Sequence, residues 1–459
     1  QWTVPHQKIR LKVSKKIFLI IIILLFWGCL PDPVSNTIAP PFSFSGTLID
    51  VKFFGGSDEE VAREIIELQE GGYAMVGSTK STDGDFSDRL GNDWDLFLIK
   101  MNEQGEVTWK KTYGGSADDF GFSLVESQEG GFVLMGYSNS QDGDVPPTKG
   151  YHDNWIIKVD AAGAVVWKKS LGYSGHDHAY NVIPTTDGGY FFNGFLDVTA
   201  SNGAGSSGKS SQANRHGVGE FWCHKIDANG NIQWQRYFGG TNNDRSYDAI
   251  QTQEGNFLVV GTSESEDVDI KNPKGSYDVW VVMVSPSGEM IWENSYGGSL
   301  VDEASRVIED SYGNCRIIGN THSEDMDVID PRGSSDVWQI ILDKSGRLIG
   351  SYNFGGSEFD RGTSITKGQW GSIFITGYSR SLDGDMDSNK GENDMFLMYL
   401  PDDGSELKTM TLGGEGQDFA YDVLVRSDGG VLLVGQTFSK NPPYDRNKGK
   451  SDIIVAHWR

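Results

Sequence analysis

The chain is poor in cysteine, proline, cations and long apolar runs. Three cysteines in 459 residues provide neither a paired-Cys metal motif nor a disulfide framework. Fourteen prolines exclude a collagen-like or Pro-rich low-complexity chain. Lys and Arg number 39 against 64 Asp and Glu, a formal charge of −25 that repels phosphate backbones and sets nucleic-acid binding aside. Residues 17–27 form an apolar run too short for a typical membrane-spanning helix, and no later segment sustains helical periodicity. No nucleophile elbow is present. With 59 glycines and 12% aromatics, the composition points to an all-β chain with many tight turns.

What the chain has in quantity is repetition. The stretch Trp109-Lys110-Lys111-Thr112-Tyr113-Gly114-Gly115-Ser116-Ala117-Asp118-Asp119 returns throughout, with its Tyr113 position recurring at Phe54, Leu171, Phe238, Tyr296, Phe354 and Leu412. The steps are 59, 58, 67, 58, 58 and 58 residues, so seven copies of one unit build one body. In the second copy, residues 120–126, 132–137, 154–159 and 164–170 read as four short strands. Turns at Gly130-Gly131 and Asp160–Gly163 and a loop over 140–150 join them. Four antiparallel strands per unit predict a seven-bladed β-propeller. A glycine closes the second strand of every unit, at Gly77, Gly136, Gly194, Gly261, Gly319, Gly377 and Gly435, which predicts a close backbone approach there. The last unit lacks a fourth strand, while residues 46–54 form a fourth strand with no blade; their pairing is expected to close the ring.

The segment 156–167, with Lys158-Val159-Asp160-Ala161-Ala162-Gly163 and then Trp167, resembles the tryptophan-docking hairpin of quinoprotein-type propellers. The whole unit (Gly-Gly-Ser-x-x-Asp, Gly-Gly-Tyr/Phe, Asp-Gly-Asp, Asp-x-Trp, Trp) is similar to a family of exported bacterial repeat β-propeller lipoproteins carrying bulb-type-lectin-like or endoglucanase-like labels. The resemblance covers residues 46–459 and implies the fold; no motif here matches the quinone-cofactor residues.

The N-terminus reads as an export signal: Lys15-Lys16, the apolar run, then Phe26-Trp27-Gly28-Cys29. That ending resembles the bacterial lipoprotein signal, which implies a lipidated Cys29 and an outer-membrane anchor in the cell envelope. The expected organisation is a signal with an upstream extension over 1–28, a lipidated Cys and Pro-rich tether over 29–45, and one propeller over 46–459. Cys223 and Cys315 fall in the third and fifth units and read as buried small side chains, not a disulfide.

Two charged features recur. The acids after Gly-Gly-Ser (Glu60, Asp119, Asp177, Asp244, Asp302, Asp360 and Asp418) are expected at the mouth of the central channel, each capping N–H groups of its own turn; a cation site is the alternative. Asp83/Asp85, Asp142/Asp144, Asp267/Asp269, Asp325/Asp327 and Asp383/Asp385 alternate in the loop between strands two and three. Oxygen ligands so spaced suit calcium, and Asp-Gly turns are the other reading. Both sets belong to one face, which is expected to be acidic.

Function needs asymmetry, and the third unit supplies it. Gly172-Tyr173-Ser174-Gly175-His176-Asp177-His178 replaces the common turn, and a Ser/Gly-rich loop adds nine residues. His152, His176, His178 and His216 fall in one sector with Asp177, a donor set suited to zinc or another transition metal, or to acid–base work. The docking tryptophans Trp109, Trp167, Trp234 and Trp292 give way to Gly350, Lys408 and Asp50 elsewhere. The favoured function is a non-catalytic binding or scaffold propeller on a lipid anchor, presenting a face to a glycan or protein. A polysaccharide hydrolase is the alternative, which needs two carboxylates about 5–10 Å apart. A metal-dependent enzyme using the histidine sector comes third.

Overall fold

A computed structural model describes residues 44–459, apart from 90, 208–214, 387, 403–404, 442–443 and 445–446. The export segment, Cys29 and the tether up to residue 43 lie outside the described residues. Among the described residues no helix is long and apolar enough to cross a membrane.

Strands are numbered β1 to β28 along the chain and form seven four-stranded antiparallel sheets. β1 (Leu48–Phe54) precedes the first blade, which is β2 (Glu60–Glu67), β3 (Tyr73–Thr79), β4 (Asp95–Met101) and β5 (Val107–Tyr113). The first strand of every blade is innermost: β2, β6 (Asp119–Glu126), β10 (His178–Pro184), β14 (Asp244–Gln251), β18 (Asp302–Glu309), β22 (Asp360–Lys367) and β26 (Asp418–Val425). Each lies against the next, and β26 lies against β2, so the ring is closed.

Closure uses the strand expected to do it. β28 (Asp452–Trp458) pairs antiparallel with β1, from Leu48 opposite Trp458 to Phe54 opposite Ile453. Thr47 and Arg459 exchange backbone hydrogen bonds of 3.1 and 3.0 Å. The body starts two residues earlier than the sequence suggests. Phe44, assigned above to the tether, is buried against Phe374 and Tyr399 with ring centroids 4.9 and 5.2 Å away. Removing that ring from water favours its docking over a free tether.

The recurring glycine has a steric cause. Each inner strand carries a register shift at one place, between Ala62 and Glu64 in β2 and between Gly121 and Ser123 in β6, for example. The facing residue is the glycine. A Cβ on Gly136 would stand 1.7 Å from the Phe120 carbonyl oxygen, and one on Gly261 would stand 2.0 Å from that of Arg245. On its other side the glycine pairs with a large side chain of the third strand, such as Trp155, Trp222, Trp280 or Trp338, all buried. The apolar cores lie between blades, as where Leu258 and Val260 meet Ile317 and Trp338.

The docking tryptophans also join blades. A Cβ on the turn glycines Gly163, Gly230, Gly288 and Gly346 would touch the rings of Trp109, Trp167, Trp234 and Trp292 from the preceding blade. Trp234 Nε1 donates to the Pro286 carbonyl at 2.8 Å. In the sectors of Asp50 and Lys408, lysines take over: Lys52 Nζ donates to the carbonyls of Gln104 and Gly105 at 2.7 and 2.8 Å, and Lys408 Nζ to that of Phe44 at 3.0 Å. Cys223 and Cys315 are both buried and free.

Deleting residues 44–52 removes most of the seven-residue closing strand. At roughly 0.5–1.5 kcal/mol per lost hydrogen bond, stability should fall by more than about 3 kcal/mol. The exposed β28 edge should promote self-association. Denaturant melts and gel filtration would show both; an unchanged melt would contradict closure by β1.

Candidate functional site

The recurring acids are scaffold, and their placement differs from the expected channel mouth. None of Glu60, Asp119, Asp177, Asp244, Asp302, Asp360 and Asp418 has any exposed surface. Each accepts the N–H four residues back, for example Gly115 to Asp119 and Gly298 to Asp302 at 2.7 Å. Hydroxyls from the second strand's end complete the shell: Ser140 Oγ lies 2.9 Å from Asp119 Oδ2 and Ser323 Oγ 2.9 Å from Asp302 Oδ2. Tyr173 N–H and Asp197 N–H occupy Asp177 in the same way, at 2.7 and 3.0 Å, so this carboxylate is not part of a histidine site. Burial raises the carboxyl pKa of Asp119 and Asp177 to about 7 and that of Asp244 to about 6.

The loop acids also staple turns. Asp83, Asp142, Asp267, Asp325 and Asp383 each use Oδ1 to accept the N–H of the neighbouring Gly-Gly-Ser/Thr turn at 2.7–2.9 Å. Asp85, Asp269, Asp327 and Asp385 accept the N–H of its first glycine at 2.9–3.2 Å. Cations of adjoining segments neutralise several of them: Lys448 and Lys110 at Asp85, Lys274 at Asp327, Arg332 at Asp385. In blade seven Asn441 makes the same bond, to Glu415 N–H at 2.9 Å. A neutral amide does the work, so the position needs an acceptor and not a charge. These bonds support the turn reading of these loops. Asp144 sits in the same loop, its N–H donating to the Gly114 carbonyl at 2.8 Å.

The channel itself is built from the bulges. The extra residue of each inner strand faces the axis: Arg63, Phe122, Tyr180, Tyr247, Ser305, Thr363 and Tyr421. Together with Arg306, Arg361 and Tyr378 they line a cavity of about 330 Å³. Arg63 lies over the Tyr421 ring, 4.2 Å from its centroid. The following residue in each strand forms a polar belt: Glu64, Ser123, Asn181, Asp248, Arg306, Ser364 and Asp422. Asp422, Glu64 and Asp248 accept the N–H of Ile65, Leu124 and Val307 on the next blade at 3.0, 2.8 and 2.8 Å. Arg306 crosses the axis to all three acids, at 3.4 Å from Glu64, 3.6 Å from Asp248 and 3.4 Å from Asp422. Burial lowers its pKa, but Asp422, Glu64 and Asp248 outweigh that and raise it. The belt floors the cavity with three acids gathered around one arginine.

At the rim, three of the four expected histidines converge. His152 and His176 form the parallel bridge between blades two and three, a position held by Gly219 and Asn243 or Tyr277 and Val301 at other junctions. Their Nδ1 atoms are 2.8 Å apart, and His178 Nε2 is 3.4 Å from His152 Nδ1. His178 stacks on Tyr137 with centroids 3.8 Å apart, and Tyr137, Phe122 and Tyr180 continue the aromatic contact to the channel wall. Burial and the neighbouring His152 and His176 lower the His178 pKa to about 3. His216 does not join them. It is buried 3.3 Å from Glu220 and against Tyr237, because its loop folds back onto blade three. Glu220 and Asp244 form a carboxyl pair there, and both are fully buried.

Two features escaped the sequence reading. The cavity wall did, because the residue type at the bulge changes from blade to blade. So did the spacing Gly203-x-x-x-x-Gly208-Lys209-Ser210, which matches a phosphate-binding loop. Its context does not fit: the loop joins two strands of one antiparallel sheet, Tyr190–Leu196 and Glu220–Ile226, and residues 208–214 lie outside the described ones.

The strand pairing and the axial cavity define a seven-bladed propeller with a closed floor and an open, histidine-bearing rim. No protein-family model matches the chain. It is 21% identical over 387 residues to regulatory protein FlaEY of Caulobacter vibrioides, a match covering 77% of this chain and 40% of that protein. The chain thus spans less than half of that relative. Among solved structures it is similar to the Neurospora crassa Pan2 WD40 domain (10% identity, TM-score 0.47, covering 88% of this chain and 97% of that one). It is also similar to a Dyadobacter fermentans protein of unknown function (10% identity, TM-score 0.46, covering 90% and 99%). At these values the likeness carries no argument about activity, and the blade count stands on the strand pairing.

Replacing Asp302 by Ala strands the Gly298 N–H and two hydroxyls and should cost about 3 kcal/mol or more. Asp325→Asn, which copies Asn441, should stay within about 1 kcal/mol. Denaturant midpoints at equal slope would separate the two. Asp119, Asp177 and Asp244 also set a pH trend. Their folded pKa values lie above the unfolded value of about 4, so their contribution is complete below that and is lost as pH rises through 6–7. The melting temperature should be higher at pH 5 than at pH 8. The opposite order would mean that the hydrogen bonds outweigh desolvation.

Proposed function

We propose that this chain is a non-catalytic binding propeller of the bacterial cell envelope, held by a lipid on Cys29, which takes a carboxylate-bearing glycan or an acidic protein segment at its axial cavity. One observation supports this most. In a chain of formal charge −25, the described cavity wall has three arginines, Arg63, Arg306 and Arg361, and no carboxylate. Arg306 is engaged by three acids, and Arg361 pairs with Glu303 at 3.2 Å. Arg63 has aromatic faces around it and is placed to meet an anion. Tyr180, Tyr247, Tyr378 and Tyr421 add phenol groups and flat rings, which suit a ligand with an apolar face and polar edges.

The hydrolase reading loses ground on the same wall. Glycoside hydrolysis needs two accessible carboxylates, and the recurrent acids are committed to backbone N–H groups.

The test is retention and turnover on a panel pairing neutral polysaccharides with carboxylate-bearing ones. The protein should retain the acidic members without releasing reducing ends, and Arg63→Ala should weaken retention at least tenfold. Reducing-end release would restore the hydrolase reading, and unchanged retention by Arg63→Ala would remove the cavity as the site. In cells, Cys29→Ser should move the protein from the membrane pellet to the soluble fraction; persistence in the pellet would remove the lipid anchor.

A further inference from the structure

We propose that His152, His176 and His178 form a binding site for a late transition-metal dication of the zinc or copper class, set on the rim between blades two and three. The site is separate from the axial cavity, and its argument does not depend on what the cavity binds.

The geometry carries it. One nitrogen from each ring converges, all within 4.8 Å of one another, and among the described residues this is the group of three or more His, Cys, Asp or Glu so arranged. The shortest separations, 2.8 and 3.4 Å, bracket the spacing of about 3.3 Å between nitrogens that a tetrahedral ion with metal–nitrogen bonds of about 2.05 Å requires. Bound metal would replace a contact in which two Nδ1 atoms share one proton.

The rings are oriented by the scaffold. His152 and His176 sit on a parallel bridge that recurs at five other blade junctions. His178 is clamped by stacking on Tyr137, and its outer Nδ1 lies 3.3 Å from the Tyr180 hydroxyl, which leaves Nε2 to point inward. Tyr151 stacks on His176 with centroids 5.1 Å apart.

Imidazole nitrogens favour zinc, copper and nickel over calcium and magnesium. The nearby carboxylates are engaged elsewhere: Asp118 Oδ1 accepts Trp94 N–H at 3.0 Å, and Asp153 accepts from Lys149, Gly150 and Ser170 at 2.9–3.2 Å. Three protein donors and exposure at His176 leave one coordination position for water or for a donor of an approaching partner.

The experiment is a zinc titration of metal-free, untagged full-length protein against a chromogenic chelator, with a copper titration followed by electron paramagnetic resonance. Wild type should take one equivalent of zinc, and the copper spectrum should show nitrogen hyperfine splitting. His176→Ala should lower zinc affinity at least tenfold, the His176→Ala/His178→Ala pair at least a hundredfold, and His322→Ala, in blade five, not at all. Calcium should not compete. His178 packs in the aromatic stack, so the double variant is checked for folding by circular dichroism. His176→Ala alters an exposed ring and decides the matter if the double variant fails to fold. Wild type taking no zinc at micromolar concentration, or His176→Ala binding as wild type does, overturns the site. Neither result bears on glycan or protein retention at the cavity.

Discussion

One buried carboxylate per blade holds this structure together. It stands where the outer strand of one blade passes to the inner strand of the next, so it fixes the angle at which each sector enters the ring. From one point it accepts a backbone N–H of its own turn and hydroxyls from the end of the neighbouring strand, as Asp302 does with Gly298, Thr321 and Ser323. A carboxylate suits this task because two oxygens offer about four acceptor sites and donate nothing when ionised. At Asp302 burial opposes the charge and raises the pKa, and the hydrogen bonds hold it down. The seven acids therefore add no charge to a binding surface, although they account for part of the chain's acidity.

A second constraint acts at the axis. Seven inner strands meeting in a ring leave a channel that must be filled or wet. The bulge in every strand turns an extra side chain inward, and the recurring glycine exists because the bulged backbone passes where a Cβ would be. One layer further, the polar belt ties neighbouring blades together. Here one cation, Arg306, answers three acids from blades one, four and seven. Truncating one partner of such a cluster leaves buried charge uncompensated, which makes the belt sensitive to single changes. The fold places a rigid floor below the cavity and leaves the opening to the turn-bearing face.

The fold was legible because its determinants repeat. The period, the strand-two glycine and the orphan strand near Leu48 each state a backbone requirement, and such requirements recur in every sector. The chemistry of single side chains was less legible. Asp83 and Asp325 look like calcium ligands in sequence, and only the N–H groups of Ser57 and Ser299 beside them reveal turn acceptors. His216 shares a sector with the other histidines along the chain but is drawn into the core by Glu220 and Tyr237. The cavity wall was invisible because one structural position holds Arg63, Phe122, Tyr180, Tyr247, Ser305, Thr363 and Tyr421, which share no chemistry.

That last contrast says where function can reside in such a ring. Positions bound to the scaffold, the acid and the glycine, are close to invariant across the seven units of this one chain. The bulge, the residue two before it and the bridge between blades have no such requirement and vary freely. Arg63 and Arg361 come from the first two of these, and His152 and His176 from the third. His178 shares its repeat position with Arg361, one residue after the buried acid, and so the rim cluster and the cavity wall draw on the same unconstrained register. A ligand that touches this face meets the residues that differ between sectors, while the ones that repeat stay buried beneath it. The asymmetry needed for recognition is therefore built without disturbing the symmetry needed for closure.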